Sequence, residues 1–506
     1  MLFNSYIFIF GFLPLALTGF FVSARWGRVP ASLWLVLVSF AFYAFWHPPF
    51  LAILLVSIAF NYAMSELIGR SEARPRLQTA LLTATVSADL GALVYYKYLF
   101  SLFQFMRDHG LADIQFDAVA LPLGISFFTF TQIGYLIDVK QGVAKDRGLL
   151  NYMQFVTFFP HLIAGPILHN QEMMPQFADR SIYRFSATNL ATGGFIFIIG
   201  LLKKCLLADP TGAIVPAGFA QAGALPMFEA WHVALSYSLQ LYFDFSGYSD
   251  MAIGLAFMFN IRFPLNFNSP YKAASVIDYW QRWHMTLTRY LNLYLYNPIA
   301  LWITRRRLTK GLKTTRKAYA TVGGFSAMVL FPTFVTMTLA GIWHGAGLQF
   351  VIFGLLHALY LSINHACRIF APRPAGPAKA DSPALHAGKV LLTYLAVLVG
   401  AIFFRAPSVT AAIDLLEGML GLRGAGAPPR VADMAWIVLL YAIVWGMPNT
   451  QQITSLYEPT LAKIQSGGFP WLRWRLTAPW AVVGGVAAII GLLSIRSDSE
   501  FLYFQF

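Results

Sequence analysis

Apolar runs long enough to approach the thickness of a bilayer recur along nearly the whole chain, at about 5–23, 31–46, 50–68, 78–103, 122–138, 150–168, 190–208, 229–259, 321–343, 348–366, 388–404, 434–447 and 479–495. In lipid a backbone must satisfy its own hydrogen bonds, and without strand-type alternation the helix is the solution left. The fold class is therefore all-α: a polytopic integral membrane protein with roughly 11–13 membrane segments, re-entrant pieces included. Composition agrees, since 58% of the 506 residues are hydrophobic and only 11% are charged, where a soluble chain carries about a quarter charged. Short loops between the runs argue for one integral domain over 1–506. Proline and glycine in LPLGISF, in FFPHLIAGPIL and at Pro175 predict irregular or re-entrant pieces around 122–168. There is no convincing internal repeat, which weakens a transporter built on inverted halves.

The net charge of +14 comes from 36 Lys and Arg against 22 Asp and Glu, and on a polytopic chain such an excess is topological rather than a nucleic-acid surface. Basic residues sort into Arg25 and Arg28; Arg70, Arg74 and Arg76; Lys140, Lys145 and Arg147; the dense TRRRLTKGLKTTRK at 304–317; and Arg368, Arg373, Lys379 and Lys389. By the positive-inside rule these loops face the cytoplasm, so the N-terminus and the turn HPP at 47–49 are expected outside. The first apolar stretch lacks a basic n-region and reads as a retained helix. Cys205 and Cys367 have neither metal-ligand spacing nor a disulfide framework. The ending EFLYFQF looks like a protease-recognition scar or an interfacial aromatic tail, and no function is assigned to it.

GIWHGAGLQF, 341–350, carries one ionisable group in a strongly apolar setting. The basic loops ending at Lys317 and beginning at Arg368 bracket it on the same side, so the chain between them goes in and returns. From Thr321 to His344 is about 24 residues, roughly 36 Å of helix, with Pro332 expected to kink or break the first leg. This sets His344 at the tip of a helical hairpin, towards the external face. A buried charge at that depth costs at least ~2.5 kcal/mol, which a neutral imidazole avoids. Gly341, Gly345 and Gly347 leave room for a substrate or another backbone, or simply make a tight turn. From position alone His344 is as good a structural hydrogen-bonding group as a functional one.

Two further stretches carry chemistry. SVIDYWQRWHMTLTRYLNLYLY, 275–296, reads as one interfacial or groove-lining helix, with Asp278, Arg282 and Arg289 on one face, an aromatic stripe including Trp283 on another, and His284 off the charged face. LQLYFDFSGYSDMAIG, 239–254, buries Asp244 and Asp250 beside Tyr248; these carboxylates need partners, which a His, Arg282, Arg289, a cation or a structural salt bridge would each supply. His161 and His169 lie in the irregular segment and are expected to be structural. Lys203 and Lys204 are expected to snorkel to an interface.

Taken together, LPLGISFFTFTQIGYLIDV (121–139), FFPHLIAGPIL (158–168), LYFDFSGYSDMAIGLA (241–256), FPLNFNSPY (263–271), DYWQRWHMTLTRYL (278–291) and GIWHGAGLQFVIFGLLH (341–357) resemble the membrane-bound O-acyltransferase family. The likeness is to its bacterial alginate O-acetyltransferase membrane-subunit branch, and it is strongest over 1–405, before the C-terminal helices at 434–495. After RWH the chain departs from that branch, running TRYLNLYLYNP where a basic and an acidic residue are usual. The resemblance implies helices around a central funnel or tunnel, His344 as the invariant histidine and His284 as its helix-borne companion. Trp343, Gly345, Asp244, Tyr248, Asp250, Arg282 and Trp283 are donor- or acceptor-site candidates. It implies no bound cofactor and no metal, but a cytoplasmic thioester donor, acetyl-CoA or another acyl thioester, together with membrane lipid and a periplasmic polysaccharide acetyltransferase partner. The setting implied is the bacterial inner membrane. His344 would serve as general base and His284 would position or polarise the donor carbonyl, or an acyl-enzyme relay would operate. Two other readings are a transporter or flippase with a His344, His284, Asp244 and Asp250 relay, and a scaffold for polymer export.

Overall fold

The computed structural model describes residues 1–506 except 112, 113, 115, 118, 372–380, 465–468, 497–500 and 503–506. Arg373, Lys379 and most of the EFLYFQF ending therefore lie outside the described residues. The principal helices are α1 (Leu13–Ser23), α2 (Arg28–Ala44), α3 (Pro48–Arg70), α4 (Pro75–Lys97), α5 (Ile125–Lys140), α6 (Ala187–Leu202), α7 (Met227–Met258), α8 (Val276–Trp280), α9 (Met285–Leu291), α10 (Phe331–His344), α11 (Leu348–Phe370), α12 (Pro383–Arg405), α13 (Val431–Gly446) and α14 (Ala478–Leu493). The chain is all-α: among the described residues β-pairing is limited to an isolated bridge between Phe263 and Thr460.

Seven described segments are long and apolar enough to cross a membrane: Ile7–Trp26, α3, α4, Ala187–Ala220, Val322–His344, α11 and α12. The helices α2, α13 and α14 are apolar but shorter. Prolines sit in the first turns of α3, α4 and α12, where the missing N–H costs nothing. The run at 78–103 is not one span, because the helix breaks at Tyr98. Pro332 does not break its leg either. A π-turn at Ser326–Leu330 precedes it and absorbs the lost hydrogen bond, so the span stays continuous to His344.

The chain divides into two compact units. The first comprises Met1–Leu206, Asp244–Leu265 and the chain from Thr450 on; the second comprises Leu207–Phe243 and Asn266–Asn449. In the first unit α6 and α7 cross at backbone contact. A Cβ added at Gly193 would lie 2.5 Å from the carbonyl oxygen of Gly254, and one at Gly200 2.6 Å from that of Gly247. Both pairs are spaced seven residues apart, so at two successive places the helices approach through glycine, with Met251 and Met258 packed beside them. Within 149–168 the chain forms short helices, Leu149–Thr157 and Phe159–Leu162, and then runs irregularly. His161 is buried there with its Nε2 2.9 Å from the Phe155 carbonyl, the structural role expected of it.

In the second unit α10 and α11 form a hairpin, and α12 packs against α11. The hairpin glycines serve this packing. A Cβ on Gly341 would sit 2.2 Å from the Phe350 carbonyl oxygen, one on Gly354 2.4 Å from that of Met337, and one on Gly345 2.2 Å from the Phe350 ring. Of the openings left for them by the sequence, these glycines are filled by neighbouring backbone and an aromatic ring.

Replacing Gly254 with leucine should lower stability by ~1–3 kcal/mol through overpacking against a backbone that cannot yield. The measurement is the thermal unfolding midpoint in detergent. Gly194→Ala, where an added Cβ meets nothing within 4 Å, should leave that midpoint in place.

Candidate active site

The segment expected as one helix over 275–296 is broken. Ser275 caps α8 through a hydrogen bond from the Asp278 N–H, the helix ends at Trp280, and α9 begins only at Met285. His284 stands between them at φ 42° and ψ 50°, a left-handed conformation that costs a non-glycine residue ~1–3 kcal/mol and persists only where its surroundings impose it. Those surroundings are FPLNFNSPY. The Asn268 N–H donates to the Arg282 carbonyl at 2.9 Å, and the Met285 N–H donates to the Asn266 carbonyl at 2.9 Å. The two main-chain bonds clamp the turn on either side of the histidine.

Asn266 then turns its side chain under the ring. Its Oδ1 lies 3.1 Å from His284 Nδ1, accepts from the Thr286 hydroxyl at 2.9 Å and faces the Thr286 N–H at 3.4 Å. Both residues are buried, His284 with 1% of its surface exposed. Asn266 lies 18 residues before His284 in FPLNFNSPY, and nothing local in the sequence marks it as a partner. On the same turn Arg282 pairs with Asp278 at 2.7 Å, half-exposed. The neighbouring Lys272 ammonium is held below the usual lysine value by burial and then by Arg282. Trp283 stacks parallel to Tyr279 at 5.7 Å and meets Phe267 edge-on at 5.0 Å.

His344 is the last residue of α10, 5% exposed, enclosed by Trp343 at 4.8 Å, Phe404 of α12 at 5.0 Å and Phe353 of α11 at 6.0 Å between ring centroids. Phe353 also packs on His357, 4.7 Å away. The indole N–H of Trp280, just before the His284 turn, donates to His357 Nδ1 at 3.2 Å. A path of ring contacts therefore runs from the clamped turn through Trp280, His357 and Phe353 to His344. His357 ends the quoted GIWHGAGLQFVIFGLLH run, yet it carries no spacing signal of its own.

Asp244, Tyr248 and Asp250 belong to the other unit and are engaged there. Lys204 pairs with Asp244 and Lys203 with Asp250, both at 2.6 Å. Thr450 and Gln451 also donate to Asp250, and the Leu502 N–H donates to Asp244 at 3.0 Å. Tyr248 is sandwiched between Phe3 at 4.8 Å and Phe501 at 4.3 Å. Of the partners open to these carboxylates, the structure selects a salt bridge. It also corrects the expectation that the lysines snorkel: Lys204 is 4% exposed because its charge is met inside.

Residues 97–316 match the membrane-bound O-acyltransferase family model. Along its full length the chain is 38% identical to a peptidoglycan O-acetyltransferase of Helicobacter pylori, covering 98% of that protein. It is 34% identical to a probable alginate O-acetylase AlgI of Azotobacter vinelandii, with all of both chains covered. A probable alginate O-acetylase AlgI of Pseudomonas aeruginosa matches at 36% over 83% of this chain and 75% of its own. The chain belongs to the membrane-bound O-acyltransferase family. As an O-acyltransferase it moves an acyl group onto an oxygen of its acceptor.

Lys204→Met should destabilise this O-acyltransferase by about 3–5 kcal/mol, because it leaves a buried carboxylate uncompensated. Lys204→Met combined with Asp244→Asn, which keeps an acceptor for the Leu502 N–H, should recover most of that loss. Thermal unfolding of the two purified variants decides it.

Proposed function

We propose that this O-acyltransferase moves an acyl group, an acetyl group in the simplest case, from a cytoplasmic thioester donor such as acetyl-CoA to a hydroxyl of an exported polysaccharide, or to a periplasmic partner protein that completes the transfer. The observation that carries the reading is the buried histidine His344 closing a helical hairpin inside an aromatic enclosure, joined by ring contacts to a second buried histidine turn. Support for the acceptor class comes from the relatives, whose names are those of peptidoglycan and alginate O-acetylating proteins.

In this reading His344 takes the proton of the attacking hydroxyl. The new O–C bond forms at the acyl carbon, the C–S bond of the thioester breaks, and the proton passes from the imidazole to the leaving thiolate, so the acyl group and a proton change places and the histidine is left as it began. His284 aligns the reacting groups. The basic loops, 304–317 above all, face the cytoplasm, the N-terminus lies in the periplasm, and the chain resides in the bacterial inner membrane. A proton or ion relay through Asp244 and Asp250 is disfavoured, because both carboxylates are matched by lysines.

His344→Ala, expressed at the wild-type level and correctly inserted, should lower thioester-dependent acylation of surface polymer at least about 100-fold, the scale of a lost general base. Full acylation would sink the assignment. Orientation is checked by an impermeant maleimide on whole cells, which should label Gly347→Cys and not Lys310→Cys. Gly347 is the better site than Gly345, since the atoms nearest its added Cβ are the end of the Gln349 side chain rather than the packed Phe350 ring.

A further inference from the structure

The atoms beneath His284 define which of its nitrogens carries hydrogen. A backbone N–H can only donate, so the amide atom of Asn266 that faces the Thr286 N–H is the oxygen, and the same Oδ1 accepts the Thr286 hydroxyl at 2.9 Å. That oxygen also lies 3.1 Å from His284 Nδ1. An oxygen acceptor this close requires a hydrogen on Nδ1; the other neutral tautomer would set two lone pairs against each other.

We propose that Asn266 is a positioning residue of the O-acyltransferase, one that fixes His284 as the Nδ1–H tautomer and leaves the lone pair on Nε2. The inference rests on the reading of His284 as part of the transfer site, and it assigns that residue a sense of hydrogen bonding. Neutral His284 accepts a hydrogen bond from the donor's thiol or from an acceptor hydroxyl other than the one whose proton His344 takes; it does not donate to the thioester carbonyl, the role a polarising histidine would need. The ring is enclosed, with 1% of the residue's surface exposed, so turning it over would require its packed neighbours to move. The choice of an amide over a carboxylate follows from burial. A carboxylate would favour the imidazolium form, which has no lone pair to offer, whereas an amide orients the ring without adding charge. Of the charged groups nearest in sequence, Arg282 pairs with Asp278, and Arg289 lies in the last turn of α9.

The test combines kinetics with a spectroscopic reading of the wild-type protein. In detergent-solubilised protein with nitrogen-15-labelled histidine, resonances removed by His284→Gln identify this ring, and they should report a protonated Nδ1 and an unprotonated Nε2. Asn266→Ala should mix the tautomers and lower kcat for acetyl-CoA-dependent transfer by about 10–100-fold, the range for loss of a group that orients a working histidine, with KM within about twofold of wild type. Asn266→Asp, which keeps an acceptor, should recover part of kcat and move the acid limb of the pH profile to higher pH, since the carboxylate favours the imidazolium. A wild-type spectrum with hydrogen on Nε2 overturns the proposal even if every variant fails to fold. So does an Asn266→Asp protein that folds but behaves like Asn266→Ala in both rate and pH profile. If the spectrum is as expected while His284→Gln retains full transfer, the tautomer assignment stands and the placement of His284 in the transfer site fails.

Discussion

Non-helical backbone in a membrane protein has to find its hydrogen-bond partners inside the protein, and the second unit depends on how one such stretch does so. Residues 266–268 donate to and accept from 282–285, so two segments that could not exist alone in lipid satisfy each other. Everything distinctive about the His284 turn follows from this. The pairing ends α8 at Trp280, admits a left-handed histidine and brings an asparagine oxygen under its ring. The strain at His284 is offset by bonds that would otherwise be missing. A continuous helix through 275–296 would bury the same aromatics but would leave 266–268 with unpaired main-chain groups.

The two units solve the problem of buried polarity differently. Where α6 and α7 meet, glycines remove side chains until backbones touch, and two lysine–aspartate pairs are enclosed with additional donors from Thr450 and Gln451 on one carboxylate and from Leu502 on the other. Such pairs hold because desolvation is shared among several hydrogen bonds; either charge alone would be costly. Around His344 there is instead a wall of rings, and the imidazole sits among Trp343, Phe353 and Phe404. One arrangement fixes a helix crossing, and the other keeps a single polar group in a dry surrounding.

Hydropathy made the membrane helices legible, and charge bracketing around 317 and 368 made the α10–α11 hairpin legible, because both are local or near-local properties of the chain. What escaped depended on partners far away in sequence. Periodicity over 275–296 is truly amphipathic, yet the break at His284 is imposed by residues 266–268, whose hold on the turn no periodicity records. Lys203 and Lys204 follow an apolar run, where snorkelling is the natural reading; their partners lie 40 or more residues on, at Asp250 and Asp244. Pro332 looked like a helix breaker because the π-turn that relieves it has no sequence signature comparable to proline's own. The glycines of 341–347 were readable as small, but not as small for the sake of Phe350.

Two histidines in one aromatic region are chemically distinct only if their surroundings differ, and here they do. His284 is tied through Nδ1 to a neutral amide oxygen and rooted in a clamped turn, so its orientation is set before any substrate arrives. His344 is held at the end of a helix, where the rings of Trp343 and Phe404 restrain its imidazole plane. A group oriented in advance is suited to aligning a hydroxyl, because alignment loses its value if the ring can turn. The roles proposed for His284 and His344 thus rest on what lies beside each ring: a carboxamide under one, aromatic faces and edges around the other.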